Sequence, residues 1–123
     1  MRIGADYYPE HWEKERWKTD AEMMVKANIK VIRIGEFAWS LYEPEEGKYE
    51  FDWMDEALDF FGKYGIKVVM CTPSATPPKW MIDKYPDILQ NDIHGNPKLF
   101  GTRKHYCFNS ETYREKTKKL NTL

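Results

Sequence analysis

Hydrophobic and polar positions alternate along the chain in blocks that favour strands and helices in turn. Short apolar runs at residues 3–5, 30–34 and 66–71 predict three β-strands. Apolar residues recur at helical spacing over residues 13–27 and 52–65, which predicts two amphipathic helices. Near-continuous apolar strands separated by such helices are typical of a parallel sheet covered by helices. The pattern therefore predicts an α/β fold.

Several residues carry the signals of helix ends. Asp52 is the expected N-cap of the second helix, and Gly65 marks its end. A short helix is expected between Pro78 and Pro86, because proline is tolerated at a helix start and ends a helix elsewhere. Ser110 is expected to cap one more, charged helix. The chain thus contains three βα units followed by a helix.

The last predicted helix has no stop signal and no strand after it. Eight βα units fill about 250 residues in a closed barrel, so this chain matches about half of one. We expect a partial (β/α)8 TIM barrel, with its first three βα units and the helix leading to strand four. Residues 1–123 are then the N-terminal portion of one barrel domain, truncated before strand four.

A part-barrel leaves strand edges and an inner sheet face without neighbours. Ile32, Ile34 and Val69 are the apolar side chains that we expect on this inner face. Apolar side chains left in water each cost roughly 1.5–3 kcal/mol. Self-association of the chain through its edges or its open face is therefore expected.

Composition and charge exclude several classes of protein. The formal net charge of -1 gives no electrostatic reason to expect a nucleic acid or an anionic membrane as partner. Cys71 and Cys107 form no close pair, which favours a reducing compartment. The N-terminus lacks the apolar core of a signal peptide, and no apolar run approaches the length of about 20 residues that crosses a membrane. A cytoplasmic protein is expected.

Carboxylates and aromatic rings cluster where the predicted strands end, which is where parallel α/β proteins bind their ligands. The residues that follow the three strands are Asp6, Tyr7 and Tyr8, then Glu36, Phe37 and Trp39, then Thr72 and Ser74. Acidic acceptors beside apolar rings suit a carbohydrate. The alternative is that these rings pack the rim of the fold and that the acids cap helices.

Two carboxylates are the minimum for glycoside hydrolysis, and Glu10 and Glu36 are the first candidates. Glu10 follows Pro9, and the alternative to a catalytic role is that it lies at the entry to a helix. Arg33 lies within an apolar strand, where a buried guanidinium needs a carboxylate partner such as Asp6 or Glu36.

Other acidic and metal-ligating residues give weaker signals. Three glutamates before Gly47 have the pattern of a solvated turn; they are Glu43, Glu45 and Glu46. His94, His105 and Cys107 are close enough in sequence for a zinc site, but they lack the tight spacing of a zinc finger. The P-loop, GxGxxG, HExxH and GxSxG motifs are absent from the sequence.

Five collinear motifs together cover nearly the whole chain. They are GADYYPEHW (4–12), VIRIGEFAWS (31–40), EPEEG (43–47), TPSATPPKW (72–80) and FGTRKHYC (100–107). In this order they resemble the opening of the glycoside hydrolase family 42 β-galactosidases. The resemblance implies a (β/α)8 barrel and a retaining mechanism that releases galactose from β-galactosides. It also implies that the full-length protein is a homotrimer.

The resemblance also assigns residues. Arg103 matches an arginine that binds galactose hydroxyls, and Arg33 matches one that contacts the catalytic nucleophile and would hold it ionised. Cys107 matches the first of four cysteines that bind structural zinc in some members; no cofactor is otherwise required. The family acid/base is the Glu of an Asn-Glu pair, and that dipeptide is absent here. Both catalytic carboxylates are therefore expected beyond Leu123, and Glu10 and Glu36 do not inherit their roles.

Two further classes of function stay open beside a β-galactosidase whose isolated first segment is inactive. One is a non-catalytic sugar-binding remnant, since a binding arginine is present without the catalytic pair. The other is a structural fragment of a disrupted gene. The sequence that follows codon 123 discriminates among the three.

Overall fold

The computed structural model describes residues 3–102 and 104–123. Three parallel strands form one sheet in the order β1-β2-β3, which confirms the predicted α/β fold. The strands are β1 (Ile3–Asp6), β2 (Ile29–Ile34) and β3 (Lys67–Met70). The helices are α1 (Lys14–Lys26), α2 (Trp39–Tyr42), α3 (Asp52–Lys63), α4 (Lys79–Lys84) and α5 (Glu111–Leu120). Short 3-10 turns span Pro9–His11, Pro73–Ala75 and Pro86–Ile88.

The described residues divide into two compact units, one of residues 3–36 and 50–71 and one of residues 37–49, 72–102 and 104–123. The first unit contains the sheet with α1 and α3, and the second contains α2, α4 and α5. Every helix in the described part of the chain is too short or too polar to span a lipid bilayer.

Strand register decides which side chains share a face of the sheet. Asp6 on β1 pairs with Arg33 on β2, and Arg33 pairs with Val69 on β3. Ile32 and Ile34 are fully buried, whereas Val69 is 51% exposed. Side chains alternate between the two faces along a strand, so that residues 32 and 34 point away from residue 33. Asp6, Arg33 and Val69 therefore share the open face of the sheet.

The prediction of which side chains lie on the open inner face of the sheet is thus only partly correct. Val69 is exposed as predicted, but the prediction for Ile32 and Ile34 is wrong, because both are buried on the face that packs against α1 and α3. An apolar run shows that a strand is buried without showing which alternate residues meet the helices.

Helix α3 begins at Asp52, one residue earlier than expected if Asp52 were its N-cap. Phe51 is the N-cap, and its carbonyl accepts from the amides of Met54 (2.8 Å) and Asp55 (3.1 Å). The prediction of Asp52 as N-cap is therefore wrong; Asp52 lies in the first turn, where its carboxylate faces the positive end of the helix dipole. The predicted end is confirmed, because Gly65 follows the helix with a φ of +69°.

Aromatic side chains dominate the core of the first unit. The Tyr7 ring meets Phe61 edge-on with centroids 5.3 Å apart, and Trp17 lies 6.1 Å from the same ring. Their polar atoms are satisfied inside the core. The Tyr7 hydroxyl donates to Asp20 (2.9 Å), and the Trp17 indole donates to the Pro9 carbonyl (3.0 Å). The segment after β1 is therefore fixed against α1 and α3 by packing and hydrogen bonds.

The second unit is built around rings from α2 and α5. Trp39 is fully buried, and Tyr113 stacks on Tyr106 with centroids 4.5 Å apart. The Ser110 hydroxyl accepts from the Tyr113 amide (3.2 Å), which confirms the predicted cap of α5. The Tyr113 hydroxyl donates to the Ser74 carbonyl (2.8 Å) and so joins α5 to the segment after β3.

Candidate functional site

An arginine held by two carboxylates lies at the carboxyl end of the sheet. Arg33 donates from Nε to Asp6 Oδ1 (2.8 Å) and from Nη2 to Asp6 Oδ2 (3.3 Å). Its Nη2 also donates to Glu36 Oε2 (2.7 Å). The pairing follows from the fold, because the parallel register sets Asp6 beside Arg33 and Glu36 follows the end of β2. The expected ion pair of Arg33 is therefore confirmed with both named partners.

The expectation that Arg33 is buried is wrong. Its side chain is 42% exposed, because it points to the open face of the sheet, opposite the buried isoleucines of β2. Hydrogen bonds to Arg33 lower the pKa of Asp6, and the same bonds raise the pKa of Arg33. The ion pair thus favours the charged form of both groups.

Tyr8 adds an aromatic ring to this end of the sheet. Its ring stacks on His11 with centroids 5.2 Å apart. Burial raises the pKa of the Tyr8 hydroxyl, and the negative charges of Glu36 and Asp6 add to that effect. An open hollow of about 330 Å³ lies on the same sheet face and is lined by Gly4, Ala5, Asp6, Val31 and Arg33. The charged groups that line this hollow are the carboxylate of Asp6 and the guanidinium group of Arg33.

Glu10 and Glu36 lie in different surroundings. Both Glu10 carboxyl oxygens are buried, and within the described residues neither has a hydrogen-bond partner. Burial raises the pKa of Glu10, because a carboxylate that is removed from water loses hydration. Glu36 is instead bound to Arg33, which is the structural role that the sequence left open for it.

Two other expected ligand-facing aromatics belong to the cores. Tyr7 is 8% exposed in the first unit, and Trp39 is fully buried in the second. For these two residues the alternative, that the rings pack within the fold, is confirmed. An aromatic residue after a strand can serve either purpose, and its sequence position does not separate them.

Glu43 contradicts the prediction of a solvated turn. It is only 3% exposed, and its carboxyl group accepts from the Trp39 indole (2.9 Å) and the Gly47 amide (2.8 Å). Its carbonyl accepts from the Trp80 indole (2.8 Å). Glu43 therefore links α2 to the following turn and to α4.

Of the other two glutamates, Glu46 is bound to neighbouring side chains and Glu45 is exposed to solvent. Glu46 accepts from the ammonium groups of Lys84 and Lys116 and from the Tyr85 hydroxyl (2.9 Å), and these bonds lower its pKa to about 2. The solvated-turn prediction is thus wrong for Glu46 as well. It is correct for Glu45, whose side chain is 75% exposed.

The alternative metal site does not form among the residues that the structure describes, where no three His, Cys, Asp or Glu side chains are grouped as metal ligands. The His105 ring is 1% exposed, and its Nδ1 lies 2.7 Å from the Thr102 carbonyl oxygen. Cys107 is a free, half-buried cysteine of the second unit. Arg103, the expected galactose-binding residue, lies outside the described residues.

Comparison with known proteins places these features in a family. The family model of the glycoside hydrolase family 42 β-galactosidases matches residues 6–123. The chain belongs to this family. A β-galactosidase of Thermus thermophilus is 54% identical over 121 residues, covering 98% of this chain and 19% of that protein. The β-galactosidase BgaH of Haloferax lucentense is 50% identical over 120 residues, covering 98% of this chain and 18% of its own length.

Solved structures of family 42 β-galactosidases share the fold described above. The polyextremophilic β-galactosidase of the Antarctic haloarchaeon Halorubrum lacusprofundi superposes with a TM-score of 0.92 at 47% identity, covering 98% of this chain and 18% of that one. The three-stranded sheet and its helices therefore correspond to a segment of that enzyme. The chain spans about a fifth of the length of the curated relatives it matches.

Proposed function

We propose that the chain forms the first part of the catalytic barrel of a retaining β-galactosidase, which releases galactose from β-galactosides. The observation that carries this proposal is the match of residues 6–123 to the family, with Arg33 held at the carboxyl end of a parallel sheet. Ligands of (β/α)8 barrels bind at that end. The proposed barrel contains β1 to β3 and the helix α5 that leads toward a fourth strand.

Retaining hydrolysis divides the work between two carboxyl groups. One protonates the leaving oxygen and the other attacks the sugar, forming a covalent intermediate that water then releases. In our proposal neither group belongs to these residues, because both are supplied beyond Leu123. Arg103 binds the galactose hydroxyls, and Arg33 contacts the nucleophile.

Cys107 is proposed as one ligand of a structural zinc ion in the full-length enzyme. Within the described residues no further ligands are grouped with it, so these residues do not by themselves fit a metal ion. Such an ion would stabilise the fold and take no part in catalysis, and the proposed reaction requires no other cofactor. The absence of a close cysteine pair supports a cytoplasmic location, and the family resemblance supports a homotrimer.

Activity of the full-length enzyme tests the proposal. The gene is sequenced beyond codon 123, and an in-frame continuation that encodes an Asn-Glu pair is expected. The full-length protein is expected to hydrolyse a chromogenic β-galactoside, and Arg103→Ala is expected to lower kcat/KM at least tenfold, because a charged hydrogen bond contributes about 1.5–3 kcal/mol. A stop codon or frameshift favours the remnant instead, and unchanged kinetics of Arg103→Ala would make that residue structural.

A further inference from the structure

The carboxyl group of Glu10 is buried at the 3-10 turn that follows β1. The turn spans Pro9–His11, and both carboxyl oxygens of Glu10 lack a hydrogen-bond partner among the described residues. An ionised carboxylate without a partner is very costly in a buried place, and such a group becomes neutral instead. The closed turn therefore favours the protonated form of Glu10.

The charged groups near Glu10 do not compensate for its burial. Burial raises the pKa of the carboxyl group, and the opposing effects of its own backbone amide and of His11 are smaller. Burial also raises the pKa values of the Tyr7 and Tyr8 hydroxyls, and the negative charge of Glu10 adds to both, so these hydroxyls lie within electrostatic range of it. The other charged groups of this region face the two tyrosines: Arg16 and Asp20 of α1 lie near Tyr7, and Asp6, Arg33 and Glu36 lie near Tyr8.

Two backbone hydrogen bonds close the turn. The His11 amide donates to the Tyr8 carbonyl (3.0 Å), and the Trp12 amide donates to the Pro9 carbonyl (3.2 Å). The Pro9 carbonyl also accepts from the Trp17 indole (3.0 Å), and the Tyr8 ring stacks on His11. Opening of the turn therefore frees the Tyr8 ring, which lies at the carboxyl end of the sheet.

We propose that the turn Pro9–His11 is a proton-linked latch: Glu10 is a neutral carboxylic acid while the turn is closed, and it loses its proton to water when the turn opens. One proton is released for each turn that opens, and one is taken up for each turn that closes. A rise in pH therefore favours the open turn and frees the Tyr8 ring beside Arg33. Every group involved belongs to the described residues, so the latch is independent of the proposed β-galactosidase activity.

The pH dependence of stability tests the protonation of Glu10. Because the pKa of Glu10 is raised in the folded chain, the stability linked to this group is complete below its ordinary pKa of 4.5 and is lost as the pH rises through the folded pKa. Glu10→Gln is neutral at every pH and resembles the protonated acid in shape. The melting temperature of Glu10→Gln relative to that of the wild type should therefore rise by several degrees between about pH 4 and about pH 7.

Glu13→Gln is the matched control. Glu13 is an exposed glutamate that precedes α1, and its side chain makes no capping hydrogen bond. The difference in melting temperature between Glu13→Gln and the wild type should stay constant over the same pH range. Glu10→Met, which is also neutral, takes the place of Glu10→Gln if the glutamine variant does not fold.

Hydrogen exchange reports the opening of the turn itself. At about pH 7 the amides of His11 and Trp12 should be severalfold less protected in the wild type than in Glu10→Gln, and at about pH 4 their protection should be equal. A melting-temperature difference that stays constant or falls with rising pH would show that Glu10 is ionised in the closed turn, and the latch would be wrong. Equal protection of both amides at about pH 7 would also overturn it, because the ionised group would then reach water without opening the turn.

Discussion

Replacing Glu43 with alanine is expected to destabilise the protein by about 1.5–4.5 kcal/mol. The Trp39 indole N–H is fully buried and would lose its acceptor without gaining water, at a cost of about 1–3 kcal/mol. The Gly47 amide is more exposed and can be rehydrated, so its loss contributes about 0.5–1.5 kcal/mol. Glu43→Gln keeps the shape of the side chain and one acceptor oxygen. Its free energy of unfolding should therefore lie between those of Glu43→Ala and the wild type.

The free energy of unfolding is measured by urea titration, followed by tryptophan fluorescence because Trp39 and Trp80 both donate hydrogen bonds to Glu43. Glu45→Ala is the control, since this neighbouring side chain is 75% exposed; its effect should stay within about 0.5 kcal/mol. Equal effects of Glu43→Ala and Glu45→Ala would refute the argument that Glu43 holds this turn together.

Two further predictions concern pH and association. The pKa of Glu46 is lowered from 4.5 to about 2, so its ion pairs contribute stability that is complete above pH 4.5 and is lost as the pH falls toward 2. The melting temperature of Glu46→Gln should therefore fall less steeply than that of the wild type as the pH is lowered from 4.5 toward 2. An equally steep fall would show that Glu46 is not the source of this pH dependence. The isolated chain of residues 1–123 is expected to self-associate through its open sheet face, where Val69 is 51% exposed, or through its strand edges. Light scattering at micromolar concentration checks this, and a monomer that melts cooperatively would contradict it.

The regular elements of the fold could be predicted because periodicity directly records burial. Helix α3 has an apolar stripe, and the burial of Met54, Ala57 and Phe61 matches it. The pairing of Arg33 could also be predicted, although the reason that an apolar strand suggests, burial of the guanidinium group, does not hold because the side chain is 42% exposed. Its two partners follow from the strand ends, which parallel pairing brings to one edge of the sheet.

The features that could not be predicted from the sequence depend on contacts between segments that are far apart in the chain. Glu43 lies in a run of glutamates that is typical of a solvent-exposed turn. Its burial depends on contacts such as the hydrogen bond from the Trp80 indole, which is far away in the chain. The exposure of Arg33 depends on which face of the sheet meets α1 and α3, and an apolar strand is compatible with either choice.

The most direct test of the central claim compares hydrolysis by the full-length enzyme with hydrolysis by residues 1–123 alone. The claim is that these residues contribute the Arg33 cluster and the galactose-binding Arg103, while the acid/base and the nucleophile lie beyond Leu123. The full-length enzyme should cleave a chromogenic β-galactoside, and the purified 123-residue chain should show only the buffer rate, because the proposal assigns both reacting carboxyl groups to residues outside it. Turnover by the isolated chain that is abolished in Glu36→Gln would contradict the claim and assign catalysis to Glu36.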